Sequence, residues 1–295
     1  MTIKHRGVIV PMVTPFDDYG KLDIRGIRRL TNHLIDNGVH GLFPFGSTGE
    51  FFSLTSEEKE HILDVVVKET AGRVPVYAGT GAISTKESIW LTQMAERHGA
   101  SGVFVLTPFY LVPSEEELYG HFAAIAASTR LPVLAYNNPA RTGVKMSVGL
   151  VTRLAEIDNF VGIKDSCGDI GVTTEFVVNT PDEFAVFQGR DDLYFASFAI
   201  GTVGAVAATG NIAPKLVVEL YEAFMAGDLD HARATQRRLT PLRHALGLGT
   251  FPVVLKEAME MVGMPVGTTR SPVKPLAESQ RASLRNILEK VQVLR

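Results

Sequence analysis

Hydrophobic positions along this chain fall into short continuous runs, and longer stretches with helical spacing lie between them. Apolar runs of about four to eight residues, bounded by turn residues, predict buried β-strands. Eight runs of this kind occur, at residues 8–13, 41–45, 76–78, 102–106, 132–136, 160–164, 184–188 and 204–208. Helical spacing, opened in several cases by a serine or threonine cap, occurs at residues 24–35, 56–69, 86–97, 115–127 and 173–179. Continuous apolar strands separated by helices indicate a parallel sheet with helices covering its outer faces.

The predicted fold class is α/β, with the eight strands closing into a (β/α)8 TIM barrel. An open doubly wound sheet would also alternate strands with helices, and the number of strands alone does not exclude it. The polar residues favour the barrel, because they cluster just after the strands, where barrels carry their active sites. These clusters are residues 46–50, 107–110, 136–139, 164–166 and 189–192.

The pattern changes after Pro214, where only helical segments follow. Three of them are predicted beyond the break at residues 226–228, at residues 230–244, 253–261 and 277–293. We therefore predict two units, a catalytic (β/α)8 barrel over residues 1–225 and a C-terminal helical domain over residues 226–295. We expect the second unit to serve packing and assembly rather than chemistry.

Composition narrows the class of protein and its partners. The 295 residues carry a net charge of −3, with 45% hydrophobic and 21% charged residues, which is ordinary for a soluble globular protein. Both signs of charge are interspersed without a basic stripe, so we expect no nucleic-acid partner. The apolar runs are too short to cross a bilayer and the start does not resemble a signal segment, so we expect no membrane partner and a cytoplasmic location.

Cysteine and histidine usage adds two further expectations. The single cysteine, Cys167, cannot form an internal disulfide, which suits a reducing compartment. The eight histidines are scattered, without the paired spacing typical of a zinc site. We therefore expect neither a metal nor another external cofactor.

Lys164 is the clearest candidate for a catalytic residue, because it ends the apolar run at residues 160–163. A buried amine is costly to keep charged, and a neutral amine can attack a carbonyl carbon and form a Schiff base. A lysine that closes a strand can also simply be solvated. Tyr136 ends the preceding predicted strand, so its phenol should face the same cavity and could transfer protons there. The other reading of Tyr136 is a core aromatic whose hydroxyl is satisfied.

Two further groups could bind carboxylates. In residues 46–50, two glycines let the backbone turn its N–H groups toward one point, and Ser47 and Thr48 add hydroxyls, although a plain turn is also possible. Arg141 lies in a loop after the fifth strand and could grip a second carboxylate, or lie on the surface. Asp191 and Asp192 could contact a polyol substrate, but we predict that they cap the following helix.

Three segments together resemble a known family. Residues 46–50 (GSTGE), 136–143 (YNNPARTG) and 162–169 (GIKDSCGD) are similar to motifs of the dihydrodipicolinate synthase / N-acetylneuraminate lyase family. The resemblance runs over nearly the whole chain and is closest to dihydrodipicolinate synthase. It implies a TIM barrel with a C-terminal helical region, assembled as a homotetramer or homodimer, whose lysine forms an imine with pyruvate or another 2-oxo acid.

The resemblance also implies roles for individual residues. By position, Lys164 matches the Schiff-base lysine of the family and Tyr136 matches its proton-transferring tyrosine. Ser47 and Thr48 match the pair that contacts the pyruvate carboxylate and links to that tyrosine. Tyr110 matches a tyrosine lent across a dimer interface. The resemblance therefore implies Lys164, Tyr136, Tyr110 and Ser47 as catalytic residues.

Substrate binding is expected from Ser47 and Thr48 together with Arg141, Gly189 and Val206. Arg141 matches the arginine that holds the carboxylate of aspartate semialdehyde in the synthase branch. This set favours a Schiff-base-forming lyase that condenses pyruvate with an aldehyde, namely L-aspartate 4-semialdehyde, in lysine and diaminopimelate biosynthesis.

Other readings remain open at the level of sequence. The synthases usually have Thr-Thr where Ser47-Thr48 stands, and residues 51–52 and 189–192 look more like the sugar-acid lyases and dehydratases. An aldolase or dehydratase of a 2-oxo-3-deoxy sugar acid or of N-acetylneuraminate is therefore the alternative. A non-catalytic protein that binds a 2-oxo acid is a third reading, although a pure binding site needs no nucleophile.

Overall fold

The computed structural model describes residues 5–294, which contain one closed sheet of parallel strands. The strands are β1 (Gly7–Pro11), β2 (Gly41–Phe43), β3 (Tyr77–Gly79), β4 (Gly102–Leu106), β5 (Val133–Asn137), β6 (Phe160–Asp165), β7 (Ala185–Gln188) and β8 (Gly204–Val206). Their order in the sheet is β2-β1-β8-β7-β6-β5-β4-β3. A parallel bridge between Leu42 and Val76 joins the two ends of that order, so the sheet closes. The predicted barrel is confirmed, and the open sheet is excluded.

Helices connect the strands and cover the outside of the barrel. They are α1 (Ile24–Asp36), α2 (Ser56–Thr70), α3 (Thr85–Arg97), α4 (Glu115–Ala127), α5 (Pro139–Thr142), α6 (Val148–Leu154), α7 (Ile170–Val178), α8 (Tyr194–Ala199) and α9 (Pro214–Met225). Serine and threonine side chains begin several of them, as the sequence suggested. Thr55 caps α2 in a capping box with Glu58, and Ser114 does the same for α4 with Glu117. These caps fix where the loops above the barrel end.

The interior of the barrel is filled with side chains. Alternate residues of a strand point to opposite faces, so each strand sends every second side chain inward. The inner cluster consists of Ile9, Phe43, Tyr77, Phe104, Leu134, Ala185, Phe187 and Val206. Phe43 and Phe104 lie with ring centroids 4.7 Å apart, and Phe187 meets Phe104 edge-on at 6.2 Å. Because the interior is packed, a ligand can bind only above it, at the carboxyl ends of the strands.

Strand β6 has a glycine where the other strands send a side chain into the barrel, and this glycine lies just below the site. Its residue paired with Leu134 is Gly162, and two positions further Lys164 pairs with Tyr136. A Cβ atom at Gly162 would lie only 2.4 Å from the carbonyl oxygen of Ala185, so a side chain is excluded there. Since positions 162 and 164 share one face of the strand, Lys164 extends into the space above the aromatic interior.

Three helices follow the barrel: α10 (Leu229–Ala245), α11 (Val253–Met261) and α12 (Glu278–Lys290). Helix α10 packs on α9, and α11 and α12 pack on each other. The turn after α10 reaches over the barrel mouth, where Leu246, Gly247, Gly249 and Phe251 line the cavity described below. This region therefore contributes to the site and does more than the packing and assembly expected from the sequence. No helix within residues 5–294 is long and apolar enough to cross a membrane.

Candidate active site

Lys164 and Tyr136 lie side by side above the inner cluster. Their strands β5 and β6 pair in parallel with these two residues opposite each other. The Nζ atom of Lys164 lies 3.8 Å from the centroid of the Tyr136 ring and 5.3 Å from that of Phe43. The lysine is only 4% exposed, so the solvated reading of this residue does not hold. Its amine is held against two aromatic faces, at the floor of a cavity.

The Tyr136 hydroxyl lies at the centre of a polar network. Asn138 Nδ2 donates to it at 2.9 Å, and Ser47 and Lys164 also interact with it. Burial raises the pKa of this phenol, but the Lys164 ammonium and the hydrogen bonds from Ser47, Lys164 and Asn138 outweigh burial. The net result is a pKa below the ordinary value for tyrosine, which suits a group that gives and takes protons.

Ser47 and Thr48 open a short 3-10 turn (Ser47–Gly49) directly after β2. The first residues of such a turn have backbone N–H groups that the turn itself does not use. Both side chains are buried, and both line the same cavity as Lys164. The turn is fixed from below, because the Thr14 hydroxyl donates to the carbonyl of Gly49 at 2.6 Å. Amides and hydroxyls facing one cavity can hold a small carboxylate.

The cavity has a volume of about 450 Å³, within the range of sites for small molecules. Val206 and Gly189 line it from β8 and from the end of β7, together with Ser47, Thr48, Tyr136, Arg141 and Lys164. A Cβ atom at Gly189 would lie 2.1 Å from Ser166 Oγ and 3.0 Å from Lys164 Cε. Glycine at this position therefore makes room for the lysine side chain. Of the predicted site residues, seven border one cavity.

Arg141 is exposed on the short helix α5, at the mouth of the cavity. Its guanidinium carbon lies 4.7 Å from the centroid of the Phe251 ring, so the C-terminal region supports it from one side. Arg190 and Arg243 also line the mouth. Three guanidinium groups at the opening favour a substrate with an anionic group distant from the reacting atom.

Asp191 does not cap the following helix, and this prediction is wrong. Helix α8 begins only at Tyr194 and has no side-chain cap. Asp191 is instead buried, and its Oδ1 accepts hydrogen bonds from the backbone N–H and from the hydroxyl of Thr209. Burial raises the pKa of its carboxyl group despite these bonds. Asp192 pairs with Arg190 at 3.2 Å and is not a cap either.

Tyr110 is the one predicted site residue that lies apart from the cavity in this chain. It is 96% exposed, and its backbone adopts a left-handed conformation with φ of 78°. Leu111 and Val112 beside it are also exposed. A non-glycine residue held at positive φ with its ring in solvent is uncommon.

Asn138 and Arg243 are among the contributors to the site that were not predicted from the sequence. Asn138 donates to Tyr136, and Arg243 reaches the mouth from α10. A signal for Asn138 existed, since it belongs to the polar cluster after the fifth strand. No local signal existed for Arg243, because it lies on an amphipathic helix far along the chain. Within residues 5–294, no group of three or more histidine, cysteine, aspartate or glutamate side chains could hold a metal ion.

These features allow one kind of chemistry. A buried amine lies beside a phenol with a lowered pKa, under a turn that can hold a carboxylate. An amine can add to the carbonyl carbon of a 2-oxo acid whose carboxylate is held at the turn, while the phenol moves the protons.

The chain is similar to known proteins over nearly its full length. A model of the dihydrodipicolinate synthetase family matches residues 4–291. A 4-hydroxy-tetrahydrodipicolinate synthase of Methanopyrus kandleri is 38% identical over 296 residues, covering 100% of this chain and 99% of that protein. The crystal structure of a dihydrodipicolinate synthase from Bacillus anthracis has a TM-score of 0.95 at 40% identity, covering 98% of this chain and 99% of that one.

A third relative has a ligand in its structure. The dihydrodipicolinate synthase of Acinetobacter baumannii, solved in complex with pyruvate, has a TM-score of 0.96 at 35% identity, with 99% of this chain and 100% of that chain covered. The match of sequence and fold extends over nearly the full length in each case. Together with the lysine and tyrosine at adjacent strand ends, these similarities show that the chain belongs to the dihydrodipicolinate synthetase family.

Proposed function

We propose that this protein condenses pyruvate with L-aspartate 4-semialdehyde through an imine on Lys164, as a 4-hydroxy-tetrahydrodipicolinate synthase. The observation that carries the proposal is the position of the Lys164 amine, 3.8 Å from the Tyr136 ring and in one cavity with Ser47 and Thr48. The names of the full-length relatives support the choice of substrates. The proposal includes a cytoplasmic role in lysine and diaminopimelate biosynthesis.

In the first step, the neutral Lys164 amine attacks the C2 carbonyl carbon of pyruvate. The pyruvate carboxylate is held at the Ser47–Gly49 turn, which orients C2 toward the amine. The amine gives one proton to the departing oxygen and Tyr136 gives the other, so the oxygen leaves as water and a protonated imine and a Tyr136 phenolate remain. The imine nitrogen withdraws electrons, so C3 loses a proton to the Tyr136 phenolate without a metal or another cofactor. This leaves a nucleophilic enamine and a protonated Tyr136.

In the second step, the enamine carbon attacks the aldehyde carbon, and the aldehyde oxygen takes up a proton from Tyr136. Arg141 holds the carboxylate of the semialdehyde at the mouth. The amino group of the new product then attacks the imine carbon and displaces the Lys164 amine, giving one proton to that amine and one to the Tyr136 phenolate. This closes the ring, releases the product and regenerates the nucleophile.

Tyr110 enters the proposal through a second copy of the chain. The exposed residues 110–112 form an apolar surface that a partner subunit would cover, in a homodimer or homotetramer. The Tyr110 side chain is almost fully exposed on its own subunit, so it is open to contact from a partner. We propose that Tyr110 joins the proton-transfer network of Ser47 and Tyr136 in the partner subunit.

The test is turnover of pyruvate and L-aspartate 4-semialdehyde, coupled to dihydrodipicolinate reductase and followed by oxidation of the nicotinamide cofactor. We expect saturable turnover with both substrates. Negligible turnover at saturating substrates would contradict the proposal. In that case, pyruvate released from a panel of 2-oxo-3-deoxy sugar acids and N-acetylneuraminate would indicate the alternative lyase.

Replacing Arg141 with methionine should affect the aldehyde substrate selectively. Methionine keeps an apolar contact with Phe251 but removes the guanidinium that faces the mouth. We expect KM for L-aspartate 4-semialdehyde to rise by about 10- to 100-fold, from the loss of a charge-assisted hydrogen bond of about 1.5–3 kcal/mol. KM for pyruvate should stay within about two-fold of the wild-type value. Equal rises in both values would contradict the assignment.

A further inference from the structure

Glu50 is a buried charge directly beside the proposed pyruvate site. It follows the Ser47–Gly49 turn, is 0% exposed and adopts a left-handed conformation with φ of 55°. Its backbone N–H donates to the carbonyl of Ser47 at 3.3 Å, and its own carbonyl accepts from Ser53. A carboxylate at this position has no access to water, so its charge must be balanced within the protein.

The balancing charge comes from the C-terminal region. Lys256 of α11 is 1% exposed, and its Nζ lies 2.7 Å from Glu50 Oε1. The same ammonium donates to the carbonyl of Thr268 at 2.8 Å and lies 4.2 Å from the centroid of the Phe16 ring. Burial lowers the pKa of Lys256 to about 8, although Glu50 acts in the opposite direction. Lys256 therefore remains protonated at neutral pH and lies in contact with the carboxyl group of Glu50.

Arg270 also binds the chain at and after Glu50. Its backbone N–H donates to Glu50 Oε2 at 3.1 Å, and its guanidinium donates to the carbonyl of Ser53 at 2.7 Å and to Glu58 at 2.8 Å. Both oxygens of Glu50 thus contact the C-terminal region, Oε1 through the ion pair with Lys256 and Oε2 through the hydrogen bond from Arg270. The loop that carries Ser47 and Thr48 cannot move without breaking a buried ion pair.

We infer that Lys256, acting through Glu50, is a positioning residue that fixes the Ser47–Thr48 loop in the geometry that binds pyruvate. Lys256 therefore supports the pyruvate site without lining the cavity itself. This inference rests on the proposed function in taking pyruvate as the ligand. A displacement of about 1 Å at a group that orients a substrate can reduce its effect by about 100-fold.

The experiment measures the pyruvate concentration that gives half-maximal borohydride labelling of Lys164, read by mass spectrometry on folded, full-length protein. For Lys256→Met we expect this concentration to rise by about 10- to 100-fold, while saturating pyruvate still labels every subunit. Glu50→Gln keeps the shape of the side chain and should raise it in the same direction. Lys256→Met alone leaves a buried carboxylate unpaired, and this variant can fail to fold.

The double variant Glu50→Gln/Lys256→Met covers that case, because it leaves no unpaired buried charge. It should fold and still show the raised half-saturating concentration, since the contact that fixes the loop is lost. The matched control is Arg281→Met, which breaks the ion pair of Arg281 with Glu257, the residue after Lys256 on α11. This control should lower Tm and leave the half-saturating concentration within about two-fold of wild type.

Two results would overturn the inference. One is a half-saturating concentration in the folded double variant that equals the wild-type value. The other is an equal rise in Arg281→Met, which would reduce the effect to general loosening of the C-terminal helices. Failure of pyruvate to label the wild-type protein is a different outcome, because it contradicts the proposed function and removes both conclusions together.

Discussion

Replacing Lys164 with methionine is expected to abolish turnover, with kcat lower by at least about 1,000-fold. Methionine has a similar length and fits the contact with the Tyr136 and Phe43 rings, but it has no amine to form the imine. Because the replaced group is a buried amine, we expect Tm to be unchanged or raised rather than lowered. The measurements are the coupled assay for kcat and the mass of the borohydride-reduced pyruvate adduct.

The control for this variant is Lys145→Met, which removes an exposed lysine in the loop after α5. It should keep wild-type turnover and still gain the mass of one pyruvate adduct per chain. Retention of more than about a tenth of the wild-type kcat in Lys164→Met would contradict the covalent mechanism. Mapping of the adduct to any other lysine would do the same.

The pairing of Lys164 with Tyr136 could be predicted from the sequence because it depends on local periodicity. Both residues end apolar runs, and parallel neighbours in a barrel present their carboxyl ends at one face. The predicted strand ends differ from the observed ones by up to two residues, yet Lys164 and Tyr136 still lie opposite each other near the ends of paired strands. Inward and outward alternation fixes which side chains share a face.

The errors and omissions involve contacts between distant parts of the chain. Asp191 was assigned to the nearest helix, but its partner Thr209 lies beyond the next strand. Arg243 lines the cavity mouth, and Lys256 contacts Glu50. Both contacts depend on how the C-terminal helices lie across the barrel. The local spacing of residues carries no information on how these helices pack on the barrel. The sequence therefore predicted the helices but not their contribution to the site.

Replacing Tyr136 with phenylalanine should lower kcat by about 100- to 1,000-fold, the effect typical of removing a general acid–base group. The ring remains beside Lys164, so borohydride trapping of pyruvate should still occur, but more slowly. The prediction therefore separates the proton transfers by the phenol from the nucleophilic attack by the Lys164 amine. Retention of the wild-type kcat would contradict the role of the phenol, and complete loss of trapping would indicate damage to the lysine site.

The pH dependence of kcat/KM provides a second test of the role of Tyr136. Because the pKa of Tyr136 lies below 10, the phenol loses its proton as the pH rises through that lowered value. Wild-type kcat/KM should therefore fall on the alkaline side at a pH below 10, and Tyr136→Phe should lack this limb. Tyr77 is also buried but has no ammonium group beside it, so burial raises its pKa to about 12.

Tyr77→Phe is the matched control, because it removes a buried hydroxyl from the same barrel interior. Tyr77 contacts His5 at 2.8 Å and belongs to the inner cluster beneath the cavity. We expect a lower Tm, with kcat within about two-fold of wild type and the alkaline limb intact. The two tyrosines differ in having Lys164 beside only one of them, so loss of the limb in Tyr136→Phe alone would assign it to the pair of amine and phenol.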